Sequence, residues 1–373
     1  MTERSTVLVT GFPGSLLARR LVARIAASEP ESQLVVVVPG PQIDRAQAEW
    51  RRLGDPRPER LEIVVGDTAA MDLGMAGPRF VELAGRVDVV HHCAFSTDAG
   101  ARRELLERTN IGGTGEVLEL CEASPRRSRL VLWSSTSVCG LQRGLMLEGE
   151  LPQRSSFSNV VDETRYRAER MVREAMDHVP ITVLRPSIVV GDSKTGEIDR
   201  MDGPYLLILL MLSSPVDLRV PLPGRGDVPL NLVPIDYVVD AGHAIAADPR
   251  SIGRTFHLVD EQPPTARRVF ELIAKATGRP GPVGSLPSQL ATAVLRTPGL
   301  ERFSQIPRAF LEQLATEVTY DARNAHELLE PTGIRCPRAA SYLKVVVDYV
   351  RSRQRRRAQR THEKSDVAED ALD

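Results

Sequence analysis

Little in this chain points to a bulk electrostatic partner, a metal or a membrane. Lysine and arginine total 48 against 49 acidic residues, a net charge of -1. No overall field therefore draws the protein toward nucleic acid or anionic lipid. Cysteine is scarce: Cys93, Cys121, Cys139 and Cys336 stand far apart and none forms a CxxC pair, so no zinc or other metal site is expected. Three of the four sit in apolar runs, which predicts buried free thiols in a reducing compartment. The opening MTERSTVLVTG has no apolar signal core. The longest apolar run, Leu206 to Leu212 between Pro204 and Pro215, is far shorter than the ~20 residues of a membrane helix. The expectation is a cytoplasmic chain without a membrane span, with that run as a buried helix or the wall of an apolar pocket. No internal repeat is visible.

Strand and helix signals alternate from the start. Short apolar runs at Val7–Thr10, Leu34–Val38, Leu61–Val65, Asp88–His92, Arg129–Trp133 and Ile181–Leu184 read as strands. Helical periodicity marks Ser15–Ala27, Asp44–Leu53, Asn110–Glu122 and Asp162–Asp177. Continuous apolar strands alternating with helices predict an α/β fold, a doubly wound parallel sheet covered on both faces. After Arg185 the rhythm changes. Gly191–Pro204 is polar and glycine-rich, and Pro215–Pro234 is proline-rich with PLPGRGD. Thr255–Val259 reads as a strand, Ala266–Thr277 as a helix, and Pro280–Pro337 as helices with loops. The expected division is a nucleotide-binding domain over residues 1–190 and a smaller C-terminal substrate lobe over 191–350, with returning sheet elements. A basic tail at 351–373, containing RSRQRRRAQR, is expected to fray into disorder.

The first strand runs into TGFPGSLL at Thr10–Leu17. Gly11 and Gly14 hold the first two positions of a GxxGxxG loop with a helix following. Gly11 would allow the tight turn and Gly14 the approach of a pyrophosphate, which the helix N-terminus would bind. Leu17 takes the third glycine position and should push the helix slightly outward. After the third strand, Asp67 of Gly66-Asp67-Thr68 would accept from an adenine amino group or cap a helix. The second strand ends Val38-Pro39-Gly40, and Pro39 reads neither a ribose hydroxyl nor a 2′-phosphate.

Together the segments TGFPG, GDTAAMDLGM (Gly66–Met75), VDVVHHCA (Val87–Ala94), TNIGGT (Thr109–Thr114), LWSSTSVCG (Leu132–Gly140), RPSIVVGDSKTGEIDRMDGPY (Arg185–Tyr205) and NLVPIDYVVDA (Asn231–Ala241) carry a resemblance. Over residues 5–350 the chain resembles the extended short-chain dehydrogenase/reductase superfamily, with its epimerase/dehydratase-type Rossmann fold. The closer likeness is to the fatty acyl-CoA reductase and thioester reductase branch. The resemblance implies a cofactor, NADP or NAD with NADP preferred, and a site built from Thr10, Gly11, Phe12, Pro13, Gly14, Asp67, Thr68, Ala94, Pro186 and Ser187. It puts Asn110 at a helix kink and Ser135, five residues before Gly140, against the substrate carbonyl.

Members of this superfamily carry a tyrosine and, four residues later, a lysine on one helix face. Aligned on Asn159, Thr164, Tyr166, Ala168 and Glu169, the tyrosine place holds Val161 and the lysine place Arg165. Valine has no proton to exchange. Arginine would still hold a ribose but relays no proton. Tyr166 with Arg170 repeats the spacing but lies about 140° further around the helix, and Asp162 and Cys139 stand near. Three readings stay open: a reductase of acyl thioesters or aldehydes, a catalytically silent dinucleotide-binding sensor or partner subunit, and a scaffold. A homodimer is expected by analogy.

Overall fold

A computed structural model describes residues 5–55, 57–153, 155–201, 203–213, 222–223, 226–286 and 317–370. Parts of the Pro215–Pro234 and Pro280–Pro337 readings lie outside the described residues. The chain divides into two compact units. One comprises Met1–Ile188, Asp236–Glu261 and Val318–Cys336; the other comprises Val189–Ile235, Gln262–Glu317 and Pro337–Asp373.

The first unit holds a seven-stranded parallel sheet. Its strands are β1 (Thr6–Val9), β2 (Gln33–Val38), β3 (Leu61–Val65), β4 (Val89–His92), β5 (Arg129–Trp133), β7 (Ile181–Pro186) and β11 (Arg254–Leu258). A short strand β6 (Gly144–Met146) pairs outside the sheet with β13 (Val318–Tyr320), in register Tyr320↔Met146. The sheet order is β11-β7-β5-β4-β1-β2-β3. Chain direction from β1 reverses between β2 and β4, so the switch point of a doubly wound sheet falls at the ends of β1 and β4.

These strands form because apolar runs of four to six residues bury both faces. Helices α1 (Leu16–Ser28), α2 (Ile43–Leu53), α3 (Gly77–Arg86), α4 (Arg103–Leu106), α5 (Gly113–Glu122), α6 (Val160–Glu174) and α8 (Ile235–Ala247) connect them. One core cluster joins Leu8, Val35, Val90, Leu130 and Val183 of the sheet to Leu83, Val117 and Val172 of the helices. In α1, Ala18, Leu21, Val22 and Ile25 make the buried stripe, and Leu17 is half-buried beside it.

The second unit contains α7 (Pro204–Ser213), the predicted apolar run, with Leu207, Ile208, Leu210 and Met211 buried. It contacts α9 (Ala266–Thr277) and α11 (Ala339–Asp370). Short strands β8 (Ile188–Val190) and β10 (Leu232–Pro234) pair there, as do β9 (Leu222–Pro223) and β12 (Ser285–Leu286). The Tyr342 hydroxyl donates to the Leu232 carbonyl at 2.9 Å. The basic run Arg351–Arg360, expected to fray, continues α11 as helix. Helix α10 (Arg323–Leu329) belongs to the first unit. Among the described residues no helix is long and apolar enough to cross a membrane.

Candidate active site

The site residues lie where strands of the parallel sheet end at its carboxyl edge. Thr10 follows β1 and is fully buried. Its hydroxyl accepts the Cys93 N–H at 3.0 Å and the Ala94 N–H at 3.2 Å, and lies 2.9 Å from His92 Nδ1. His92 Nε2 lies 3.1 Å from the Thr114 hydroxyl, which donates to the Asn110 carbonyl at 2.6 Å. The single Thr114 proton is committed, so His92 carries its proton on Nε2 and accepts from Thr10 at Nδ1. Burial, with the Arg165 charge adding to it, holds the His92 pKa down to about 3, which keeps this ring neutral.

Asn110 sits in a π-helical turn, Glu107–Gly112, between α4 and α5. Its Oδ1 accepts the Ser96 N–H at 2.7 Å, and its Nδ2 donates to the Ser96 carbonyl at 3.1 Å and the Thr164 hydroxyl at 2.9 Å. Thr164 in turn donates to the Val161 carbonyl at 2.9 Å. A continuous hydrogen-bonded line thus runs from the loop after β1 to the first turn of α6. The expected kink at Asn110 is this π turn.

Gly11 takes φ +85°, and a Cβ there would stand 3.0 Å from the Cys93 carbonyl oxygen. The loop therefore lies against the end of β4 as only glycine allows. Phe12 is buried, so what this residue can offer a ligand is its backbone. Ser15 caps α1, its hydroxyl accepting from the Ala18 N–H. Arg19 donates to the carbonyl oxygens of Pro13 at 3.0 Å and Gly14 at 3.5 Å, bringing a cation to the same loop. A diphosphate fits this arrangement: the N-terminus of a helix and a guanidinium beside a glycine turn. Asp67 is already engaged. Its Oδ1 accepts the Ala69 N–H at 2.9 Å and its Oδ2 an Arg108 N–H at 2.8 Å. Thr68 lies beside it, its carbonyl 3.0 Å from where a Gly113 Cβ would stand.

At the other end of the edge, β5 leads into Ser134 and Ser135. Beneath them the carboxylate of Glu169, on α6, accepts the Ser134 hydroxyl at 2.6 Å and Arg185 Nε at 3.0 Å. Glu169 and Arg185 are both almost wholly buried. Ser135 caps the 3-10 turn Thr136–Cys139, its Oγ accepting the Ser137 N–H at 3.1 Å. Gly140 closes that turn at φ +63°, and a Cβ there would come within 2.5 Å of the Ser156 carbonyl.

Asn159 caps α6 through the Asp162 N–H at 2.9 Å, and its Nδ2 donates to Asp162 Oδ2 at 2.6 Å. Val161 is buried in the first turn. Arg165, four residues on, donates to the Ser134 carbonyl at 3.1 Å, and its guanidinium stacks 4.8 Å over the Phe95 ring. Burial lowers its pKa. Ser187, after Pro186 at the end of β7, is buried, and its N–H donates to Leu258 at 3.2 Å.

Tyr166 does not turn toward Ser135. Its hydroxyl donates to the Pro152 carbonyl at 2.7 Å, its ring packs on Phe157, and with Arg170 it lines a surface hollow that includes Ser155. Cys139 is buried, and burial raises its thiol. One residue that sequence reasoning missed is Tyr320, at the end of β13. Its hydroxyl meets the side chains of Thr136 and Cys139, and its ring stands edge-on to His257 at 5.5 Å. Among the described residues no group of three His, Cys, Asp or Glu side chains is placed to hold a metal ion.

A family model described as "Male sterility protein", an NAD-binding family, matches residues 9–242. Glycine betaine reductase ATRR of Emericella nidulans is 29% identical over 291 residues, 73% of this chain and 22% of that protein. Aldehyde reductase lnaA of Aspergillus flavus is 25% identical over 359 residues, 88% of this chain and 34% of that protein. The chain thus spans well under half the length of these relatives. The terminal R domain from the myxalamid PKS-NRPS biosynthetic pathway superposes with a TM-score of 0.80 at 24% identity, covering 95% of this chain and 92% of that one, a likeness of fold. With more than half of its residues matched by the family model, the chain belongs to the Male sterility protein family, the thioester-reductase-like branch of the extended short-chain dehydrogenases/reductases, and carries that family's NAD(P)-binding Rossmann fold.

Proposed function

We propose that this protein is a nicotinamide-dependent reductase of an acyl thioester or aldehyde, working without the usual helix tyrosine and lysine. The observation that carries this reading is the pairing, on one sheet edge, of a diphosphate-type loop at Thr10–Gly14 with Ser135 on the turn after β5. Thr10–Gly14 and the first turn of α1 would hold the pyrophosphate, with Arg19 beside it. Ala94, Pro186 and Ser187 would border the nicotinamide, and Arg165 would hold the ribose in place of lysine. NADP is the preferred form. When bound, the reduced cofactor supplies hydride.

The chain's own contribution is orientation. The Ser135 hydroxyl would donate to the carbonyl oxygen, which polarises the carbon toward attack. Val161 offers a dry wall where a proton donor normally stands. That substitution favours a second reading, a silent dinucleotide-binding sensor or partner subunit.

Fluorescence titration with NADPH and NADH, followed by turnover of acyl-CoA and aldehyde, tests both. The expected result is nucleotide binding, with turnover that vanishes in Ser135→Ala. Turnover that appears only in Val161→Tyr with Arg165→Lys would overturn the reductase in favour of the silent binder. Absence of nucleotide binding would overturn both.

A further inference from the structure

Hydride added to a carbonyl carbon leaves negative charge on oxygen, and a proton must reach it. With Val161 unable to give one, the remaining groups around the Ser135 turn can be taken in order. Arg165 donates to the Ser134 carbonyl and holds its remaining protons too tightly for relay. The Asp162 carboxylate is held by the Asn159 amide in the first turn of α6. Cys139 is a buried thiol, and burial disfavours its anion.

Tyr320 differs from all of these. It is half-buried and reaches this turn from a strand more than 170 residues later in the chain. Three features fix it: pairing of β13 with β6, the edge-on His257 ring at 5.5 Å, and contact of its hydroxyl with Thr136 and Cys139. His257 is itself held, with Nδ1 2.7 Å from the Asp321 carbonyl and Nε2 3.3 Å from Arg185.

We propose that Tyr320 donates the proton to the carbonyl oxygen polarised by Ser135, in place of the absent helix tyrosine. This rests on the reductase reading above. As hydride from a reduced nicotinamide forms the new C–H bond, the carbonyl π pair moves to oxygen. The Tyr320 O–H bond breaks and an alcohol-type O–H forms; solvent then reprotonates the phenolate, and the nicotinamide is left oxidised. Burial, with Cys139 and then Asp162 adding to it, pushes the phenol up. It therefore holds its proton at neutral pH, the state a donor requires. It is also a weaker acid than a free phenol, so it gives up that proton only when the substrate oxygen has gained most of its charge.

The test compares the full chain with Tyr320→Phe, which keeps the ring against His257. The readouts are NADPH affinity by fluorescence, ultraviolet titration of the phenols, and reduction of octanal and octanoyl-CoA. The expected outcome is a loss of roughly 10²–10⁴-fold in kcat with nucleotide affinity unchanged, and disappearance of one late-ionising phenol from the titration. Adding Val161→Tyr and Arg165→Lys to Tyr320→Phe should restore part of the rate. Cys139→Ala covers the case in which Tyr320→Phe fails to fold. Removing the thiol should draw the alkaline limb of the kcat profile to lower pH, and an unmoved limb overturns the inference. Wild-type turnover untouched by Tyr320→Phe overturns this inference alone. A wild type that binds NADPH yet reduces neither compound overturns the reductase reading and this inference with it.

Discussion

The two ends of the sheet edge are built on opposite plans. Where β1 and β4 end, neutral polar groups satisfy one another in a closed line from Thr10 through His92, Thr114 and Asn110 to Thr164. Where β5 meets α6, a buried ion pair, Glu169 with Arg185, lies beneath Ser134, and Val161 is buried in the first turn of α6. The first plan fixes the backbone after β1 and β4, with every named side chain satisfied by a neutral partner. The second rests on charge, with the Glu169 carboxylate accepting from both Ser134 and Arg185. The loop after β1 is thus held by neutral hydrogen bonds, and the end of β5 by a buried pair of opposite charges.

Acid separates the two ends most strongly. Burial lowers the pKa values of His91 and His92 to about 3 and of His257 to about 4. The unfolded chain takes up protons near 6.5 that the folded one refuses. These histidines therefore contribute stability that is complete above about pH 6.5 and lost as the pH falls, by ~1.4 kcal/mol per unit for each. Glu148, raised by burial to about 7 while accepting three backbone N–H groups, has the opposite sign. Its contribution is complete below about pH 4.5 and lost as the pH rises through 7. Three histidines against one carboxylate leave a net loss on the order of 5 kcal/mol between pH 6.5 and 4.5. Urea midpoints across that range check it, and a flat profile would show that the ring sites are wetter than described. His92→Asn should flatten the profile slightly more than His257→Asn, because burial holds His92 down to about 3 and His257 only to about 4, so folded His257 begins to take up its proton sooner.

Glu169→Ala comes next. It strands the Arg185 guanidinium and the Ser134 hydroxyl in the interior, at a cost of about 3–5 kcal/mol. Thermal or urea unfolding measures it, and a cost under about 1 kcal/mol would mean that the pair is solvated. Thr10→Val acts at the other end. It removes an acceptor from two backbone N–H groups and a donor from His92, for about 1–3 kcal/mol, and should weaken NADPH binding because the loop after β1 loses its anchor. Thr10→Ser keeps the hydroxyl and should keep both.

How much of this could be read beforehand follows the same division. β5 and α9 match their sequence readings to the residue because bounded apolar runs and clear periodicity leave little choice. The Thr10–Gly14 loop was legible because one short segment carries it. Asn110–Glu122, read as one helix, is a π turn followed by α5, since the wide turn is set by Asn110 reaching across to Ser96 and Thr164. α3 escaped notice because it opens on Gly77-Pro78 rather than on a polar cap. The Ser135 end was the least legible. β13 has three residues and a partner far back in the chain, so no local pattern announces Tyr320, and Glu169, though it anchored the alignment of α6, carries no local sign of its pairing with Arg185 on β7.

The smallest expected effect is the sharpest test of the alignment itself. Tyr166 and Tyr320 are the two phenols near α6, and only one of them has a hydroxyl beside the Ser135 turn. Tyr166→Phe removes a donor to the Pro152 carbonyl while leaving the ring on Phe157, so it should cost about 1 kcal/mol of stability. Octanal turnover should stay at the wild-type rate. A tenfold or greater fall in kcat with stability intact would make Tyr166 the proton donor. That would move the alignment along α6 by more than a turn, and Val161 would then be an ordinary core valine rather than the place of a lost catalytic group.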